Sequence, residues 1–113
     1  ALYDPVANSW QSLTSVGAPT ARFGHHAEWT GEEMLIFGGE TPAGTVASGG
    51  AYNPATGKWR PLTSNGSPLA RSEGTGVWSG TEYLIFGGRS GGTPLAELQR
   101  MNPQPTWYFY RKP

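Results

Sequence analysis

Met34-Leu35-Ile36-Phe37-Gly38-Gly39 returns 49 residues later as Tyr83-Leu84-Ile85-Phe86-Gly87-Gly88. The same displacement carries Tyr3 onto Tyr52, Trp10 onto Trp59, Pro19 onto Pro68, Arg22 onto Arg71 and Trp29 onto Trp78. It also lays Met101-Asn102-Pro103 on Tyr52-Asn53-Pro54, while Trp59 meets Trp107 at 48, one residue being dropped from the intervening turn. A period near 50 with aromatic residues and glycines at fixed places marks a repeat architecture, and it outranks local propensity.

Within one period four short strands stand between turn signals, at residues 23–30, 33–37, 46–52 and 58–62. The separators are Thr30-Gly31-Glu32, then Gly38-Gly39 with a loop to Gly44, then Asn53-Pro54-Ala55-Thr56-Gly57. Links this short allow only an antiparallel meander, because a parallel pair needs a long crossover. Leu35-Ile36-Phe37 and Leu84-Ile85-Phe86 are apolar without alternation, as expected for a strand covered on both faces. Small residues on the first strand, Gly24, Ala27, Gly74 and Gly76, suit a crowded inner edge, and tryptophan on the fourth suits a wide outer one. Leu95, Leu98 and Met101 lie three apart among helix-favouring residues. The repeat nevertheless assigns them to a third strand, and that assignment is the expectation.

The pair Gly38-Gly39, a tyrosine thirteen residues past the second glycine and a tryptophan seven further on together resemble the kelch motif. The strings GAPTARFGHHAEWTG and GSPLARSEGTGVWSG are similar to the first-strand region of bacterial-type kelch repeats. Met101 departs from the motif tyrosine, which marks the last repeat as atypical. The resemblance implies an all-β fold: a kelch-type β-propeller segment with two complete four-stranded antiparallel blades and a preceding half-blade. Residues 1–15 would be the third and fourth strands of that preceding blade, 16–63 one complete blade and 64–113 a complete C-terminal blade. Tyr3, Trp10, Gly38, Gly39, Tyr52, Trp59, Gly87, Gly88 and Trp107 are then scaffold residues, with Trp59 expected to lie largely buried between blades. A chain that opens in mid-blade leaves apolar lateral faces, and the expected cover is either the remaining blades of a longer parent or other copies of itself.

Composition removes several classes of function. The 17 glycines and 10 prolines among 113 residues would point to disorder in an aperiodic chain, but here they recur with the period. With no cysteine there is no disulfide, thiolate metal site or cysteine nucleophile. Eight basic and eight acidic side chains cancel and form no stripe, so a nucleic-acid partner is not expected. The longest apolar run, Met34-Leu35-Ile36-Phe37, is far short of the roughly 20 residues of a membrane helix, so no span is expected. Ala1-Leu2-Tyr3-Asp4-Pro5 has no signal-peptide layout, so any export signal lies upstream or has been removed. An extracellular or periplasmic location is expected ahead of a cytoplasmic one.

Several residue sets carry possible chemistry. Gly38-Gly39-Glu40 and Gly87-Gly88-Arg89 lack the Gly-Lys-Ser/Thr end of a phosphate loop and read as backbone devices. His25 and His26 are neighbours on a strand, so their rings point to opposite faces and do not share a metal; no metal and no cofactor are expected. Glu32, Glu33 and Glu82 lie on turns and read as solvated charge, while Glu73 stands beside Arg71 and Ser72 at the start of an inner strand. Arg22 and Arg71 precede the inner strands and would ring one end of the axis, able either to grip a carboxylate or to bond neighbouring carbonyls. The candidate ligand-binding set is Arg22, Phe23, His25, Arg71, Ser72 and Glu73, with no catalytic residue named. Asn65-Gly66-Ser67 fits a glycosylation acceptor and is read as a turn. The leading functional expectation is a non-catalytic module that presents loops and a channel rim to a protein or carbohydrate ligand. Two others stand behind it: part of a propeller enzyme acting on sugars, with its acids on further blades, and a self-assembling structural repeat.

Overall fold

The computed structural model describes residues 1–62 and 68–102. Among them the chain is all-β and contains no helix. Strands β1 (Leu2–Asp4) and β2 (Ser9–Gln11) form a hairpin. Strands β3 (His26–Trp29), β4 (Met34–Phe37), β7 (Gly49–Asn53) and β8 (Lys58–Pro61) form a four-stranded antiparallel meander in that order. Strands β9 (Thr75–Trp78), β10 (Tyr83–Phe86) and β13 (Leu98–Met101) repeat its first three positions. The segment holding Leu98 and Met101 is therefore a strand, its ladder to β10 overriding a weak helical preference. Trp107, the fourth strand expected around it and Asn65-Gly66-Ser67 lie outside the described residues.

The links after the glycine pairs are not open loops. Strands β5 (Glu40–Thr41) and β6 (Gly44–Thr45) form a small hairpin, matched in the second repeat by β11 (Arg89–Ser90) and β12 (Thr93–Pro94). A side chain on Gly38 would collide with the Arg71 carbonyl, and both Gly38 (φ 71°) and Gly39 (φ 104°) have left-handed backbone.

The core lies between the two larger sheets. Alternation along β4 turns Leu35 and Phe37 towards the second sheet, and β10 returns Tyr83 and Ile85, with Ala51, Leu62 and Met101 completing the cluster. The register puts Glu28 and His26 on the same face as Leu35 and Phe37, and Trp78 on the same face as Tyr83. Opposite these covered faces lie two others. Ala27, Trp29, Met34 and Ile36 occupy the first sheet's other side, and Val77, Leu84, Phe86 and Leu98 the second's.

The motif aromatics are cross-strand pairs. Tyr3 faces Trp10 with ring centroids 5.0 Å apart, and Tyr52 faces Trp59 at 5.1 Å. Trp59 is only partly buried rather than enclosed as expected. Strand β8 is the outer edge of its sheet, so the ring has Tyr52 as cross-strand partner while its indole N–H donates to the Thr14 carbonyl at 3.0 Å. Trp10, on the two-stranded hairpin, is 72% exposed.

Candidate functional site

The segments that precede the two inner strands run side by side. Phe23 and Glu40 exchange backbone hydrogen bonds of 3.1 and 2.8 Å, Ser72 and Arg89 do the same at 2.9 Å each, and the Glu73 amide donates to the Gly24 carbonyl at 2.8 Å. These bonds lay the segments that carry the six candidate residues side by side, but the residues differ in accessibility.

Arg71 is fully buried. Its guanidinium donates to the carbonyls of Leu69 (3.2 Å) and Gly87 (3.1 Å) and to Glu97 Oε1 (2.7 Å). Arg22 makes the repeat-equivalent contacts 49 residues earlier, to the carbonyls of Thr20, Gly38 and Ser48 at 3.0, 3.0 and 2.9 Å. Both arginines therefore tie the glycine pair to the link before the third strand, a use of the planar five-donor fork that lysine cannot copy. Partial burial pulls the Arg22 guanidinium below its ordinary value.

Ser72 is also buried, and its hydroxyl donates to Glu40 Oε1 at 2.8 Å. The same oxygen accepts from Thr45 Oγ1 at 3.0 Å, and Thr45 Oγ1 in turn accepts the Gly91 amide at 3.0 Å. Glu40 is thus the polar stitch between the two repeats. Sequence reading passed over it, as it did Glu97, although Glu97 stands 26 residues past Arg71 just as Ser48 stands past Arg22. Glu33 is likewise more than solvated charge: it pairs bidentately with Arg60, at 3.0 and 2.8 Å.

Phe23, His25 and Glu73 face outward. Phe23 is 67% exposed, and Glu73 lies 3.6 Å from Arg89, both of them half-exposed. His25 and His26 do point to opposite sides, His25 to solvent and His26 into the seam between sheets. His26 Nδ1 lies 3.3 Å from the Phe37 carbonyl, and its Nε2 is buried against Gly74 without a hydrogen-bond partner among the described residues. Burial pulls this imidazole below its ordinary value; the Arg71 and His25 charges add to that, and the Phe37 carbonyl and Gly74 backbone oppose it.

Glu73 has a second peculiarity. Its φ of 60° is left-handed, and its repeat equivalent is Gly24, at 67°. Among the described residues no group of three or more His, Asp or Glu side chains is placed to hold a metal. No protein-family model matches the chain, and no curated protein matches it.

Proposed function

We propose that the chain is part of a kelch-type β-propeller, with β1-β2, β3-β4-β7-β8 and β9-β10-β13 lying in successive blades, and that its rim binds a protein or carbohydrate ligand without catalysing a reaction. The observation that carries this reading is the backbone of Glu73. A left-handed conformation costs a non-glycine residue about 1–2 kcal/mol. The exposed contact with Arg89 returns at most about 1 kcal/mol and often nothing. Stability therefore favours glycine here, as at Gly24, so a carboxylate kept at this place serves something outside the fold. The adjoining segments carry the exposed ring of Phe23, the exposed imidazole of His25 and the cation of Arg89 at 3.6 Å from Glu73, a mixture that offers one stacking face and both hydrogen-bonding signs. Arg71 and Ser72 belong to this rim as its buried supports, and Arg22 as a support with an accessible flank.

The test is a titration of the isotopically labelled chain with a panel of neutral oligosaccharides and basic peptides, followed by amide chemical shifts. Shifts are expected to cluster on residues 22–25, 72–74 and 89, and to vanish in Phe23→Ala while the fold persists. Binding that Phe23→Ala and Glu73→Gly leave untouched, or turnover of an oligosaccharide, overturns the reading.

A further inference from the structure

The two repeats meet along a seam that is built in two ways. One part is apolar, with Leu35 and Phe37 of β4 clustered with Tyr83 and Ile85 of β10. The other part is hydrogen-bonded. Among the described residues the Gly39 amide donates to the Arg71 carbonyl (2.7 Å), the Glu73 amide to the Gly24 carbonyl (2.8 Å) and the Arg71 amide to the Val46 carbonyl (3.4 Å), and the Ser72 hydroxyl donates to Glu40. Such bonds exchange for bonds to water at small net cost, so this part of the seam opens more readily than the apolar part.

His26 stands where the two parts meet. It begins β3, pairs with Phe37 in the ladder and is 5% exposed. Glycines make room for its ring: a Cβ on Gly74 would come within 2.7 Å of Nε2, and one on Gly38 within 3.6 Å of Nδ1. Nδ1 lies 3.3 Å from the Phe37 carbonyl, and a carbonyl only accepts, so the neutral ring carries its one proton there. Nε2 is left bare and buried, with no hydrogen-bond partner among the described residues. A second proton must therefore enter the buried seam, near the fully buried Arg71 cation.

The charged groups around this seat do not offset a second cation. Glu97 is already bonded to Arg71 at 2.7 Å. Glu28 shares the inner face of β3, where burial and its charge together keep the Tyr83 phenol protonated. Glu40 accepts the Ser72 and Thr45 hydroxyls, and Glu73 stands near Arg89 on the exposed side. His25 points to solvent, and its charge opposes one on His26. Strand β4 brings no ionisable group, and neither does β9.

We propose that His26 is a proton-operated latch on the hydrogen-bonded part of the seam. Neutral, it seats against Gly74 and keeps the two repeats joined there; protonated, it leaves the seat and those bonds part, while the apolar cluster holds the sheets together. The direction follows from the surroundings. In the closed seam burial, then the Arg71 and His25 charges, pull the imidazole below its ordinary value, against the Phe37 carbonyl and the Gly74 backbone. An opened ring regains its ordinary value of about 6.5, so opening is unaffected above that pH and favoured below it. The latch stands on the seam alone and does not depend on the rim's ligand.

Amide hydrogen exchange of the intact chain at pH 7.5 and 5, corrected for the intrinsic pH dependence of exchange, tests this. The open fraction at Gly39, Arg71 and Glu73 should rise several-fold in acid. One open imidazole sets a ceiling of about 30-fold over that interval. The amides of the β4–β7 and β9–β10 ladders should keep their protection. The chain has 2 histidines, so each ring gives its own resonance, and that of His26 should titrate in step with the opening. His26→Gln keeps a donor for the Phe37 carbonyl and should abolish the acid response, whereas Glu40→Gln should preserve it. If the glutamine loosens the seam at both pH values, the His26 titration in the unaltered chain still decides. Seam and ladder amides that lose protection together, a His26 ring that titrates while the seam stays closed, or an acid response that survives His26→Gln overturns the latch.

Discussion

Replacing Arg71 with methionine should destabilise the chain far more than the same change at Arg22, although the two occupy equivalent positions. The methionine keeps the length of the stem, so what is lost is the guanidinium. At Arg71 this strands the Gly87 carbonyl, itself in a buried residue, and removes a 2.7 Å bond to Glu97. Breaking a fully buried ion pair costs about 3–5 kcal/mol. Glu97 keeps 37% of its side chain in water and can rehydrate, so the lower end, about 3 kcal/mol, is expected. At Arg22 water can replace the guanidinium, because the bond to the Ser48 carbonyl is exposed and that to Gly38 only partly buried. The loss there is the net value of ordinary hydrogen bonds, about 1 kcal/mol. The difference of about 2 kcal/mol exceeds a tenfold change in the unfolding equilibrium. Urea denaturation followed by tryptophan fluorescence, at concentrations below any association, reads both costs, with an unchanged slope against denaturant as the check on two-state behaviour. Costs that agree within about 0.5 kcal/mol, the scatter of innocuous substitutions, would refute the claim that the neighbouring repeat's cover is what distinguishes the two arginines. Arg71→Lys should fail to restore the loss, since three acceptors disposed around a planar fork do not fit an ammonium.

Three further outcomes are expected. Because His26 holds its proton less tightly folded than unfolded, stability is complete above the unfolded value of about 6.5 and falls as pH drops below it, towards the folded value; denaturation midpoints at pH 7.5 and 5 should show an acid loss that His26→Gln reduces, and an equal loss in both proteins would refute the assignment. Glu73→Gly should stabilise by about 0.5 kcal/mol, the relief of left-handed strain less glycine's greater unfolded freedom, and a clear loss of thermal midpoint would show that the carboxylate supports the fold after all. Trp59→Ala should cost about 2 kcal/mol, below the roughly 3–5 of an enclosed aromatic, since β8 is an edge; denaturant titration decides, and a cost above about 4 would mean the ring is more deeply packed than its exposure indicates.

The parts of this structure that were legible in the sequence are those that each repeat makes with itself. The facing of Tyr52 and Trp59, the turn at Asn53 and the ladder of β4 with β7 all recur at one offset, so comparing positions 49 apart exposes them. The short hairpins after the glycine pairs were hidden because two-residue strands leave no periodicity to read. The stitch through Glu40 and the seat of His26 were hidden for another reason. They join one position of the first repeat to a different position of the second, so no column of the repeat holds both partners.

That distinction also locates where this chain departs from a plain scaffold. His26 requires Gly74 against its ring, since a Cβ there would come within 2.7 Å of Nε2, and the repeat equivalents of those two residues are Thr75 and His25. A histidine at the Gly74 position would have no room; at position 25 it stands in solvent. The break in the repeat at this pair follows from packing alone. The break between Gly24 and Glu73 does not: a side chain at Gly24 would meet only ordinary contacts, and the left-handed backbone at both positions favours glycine. Comparing the two copies thus separates substitutions that a neighbouring sheet imposes from those the backbone disfavours, and on that criterion the carboxylate of Glu73, not the carbonyl-bonded Arg22 and Arg71, is the residue whose presence the fold leaves unexplained.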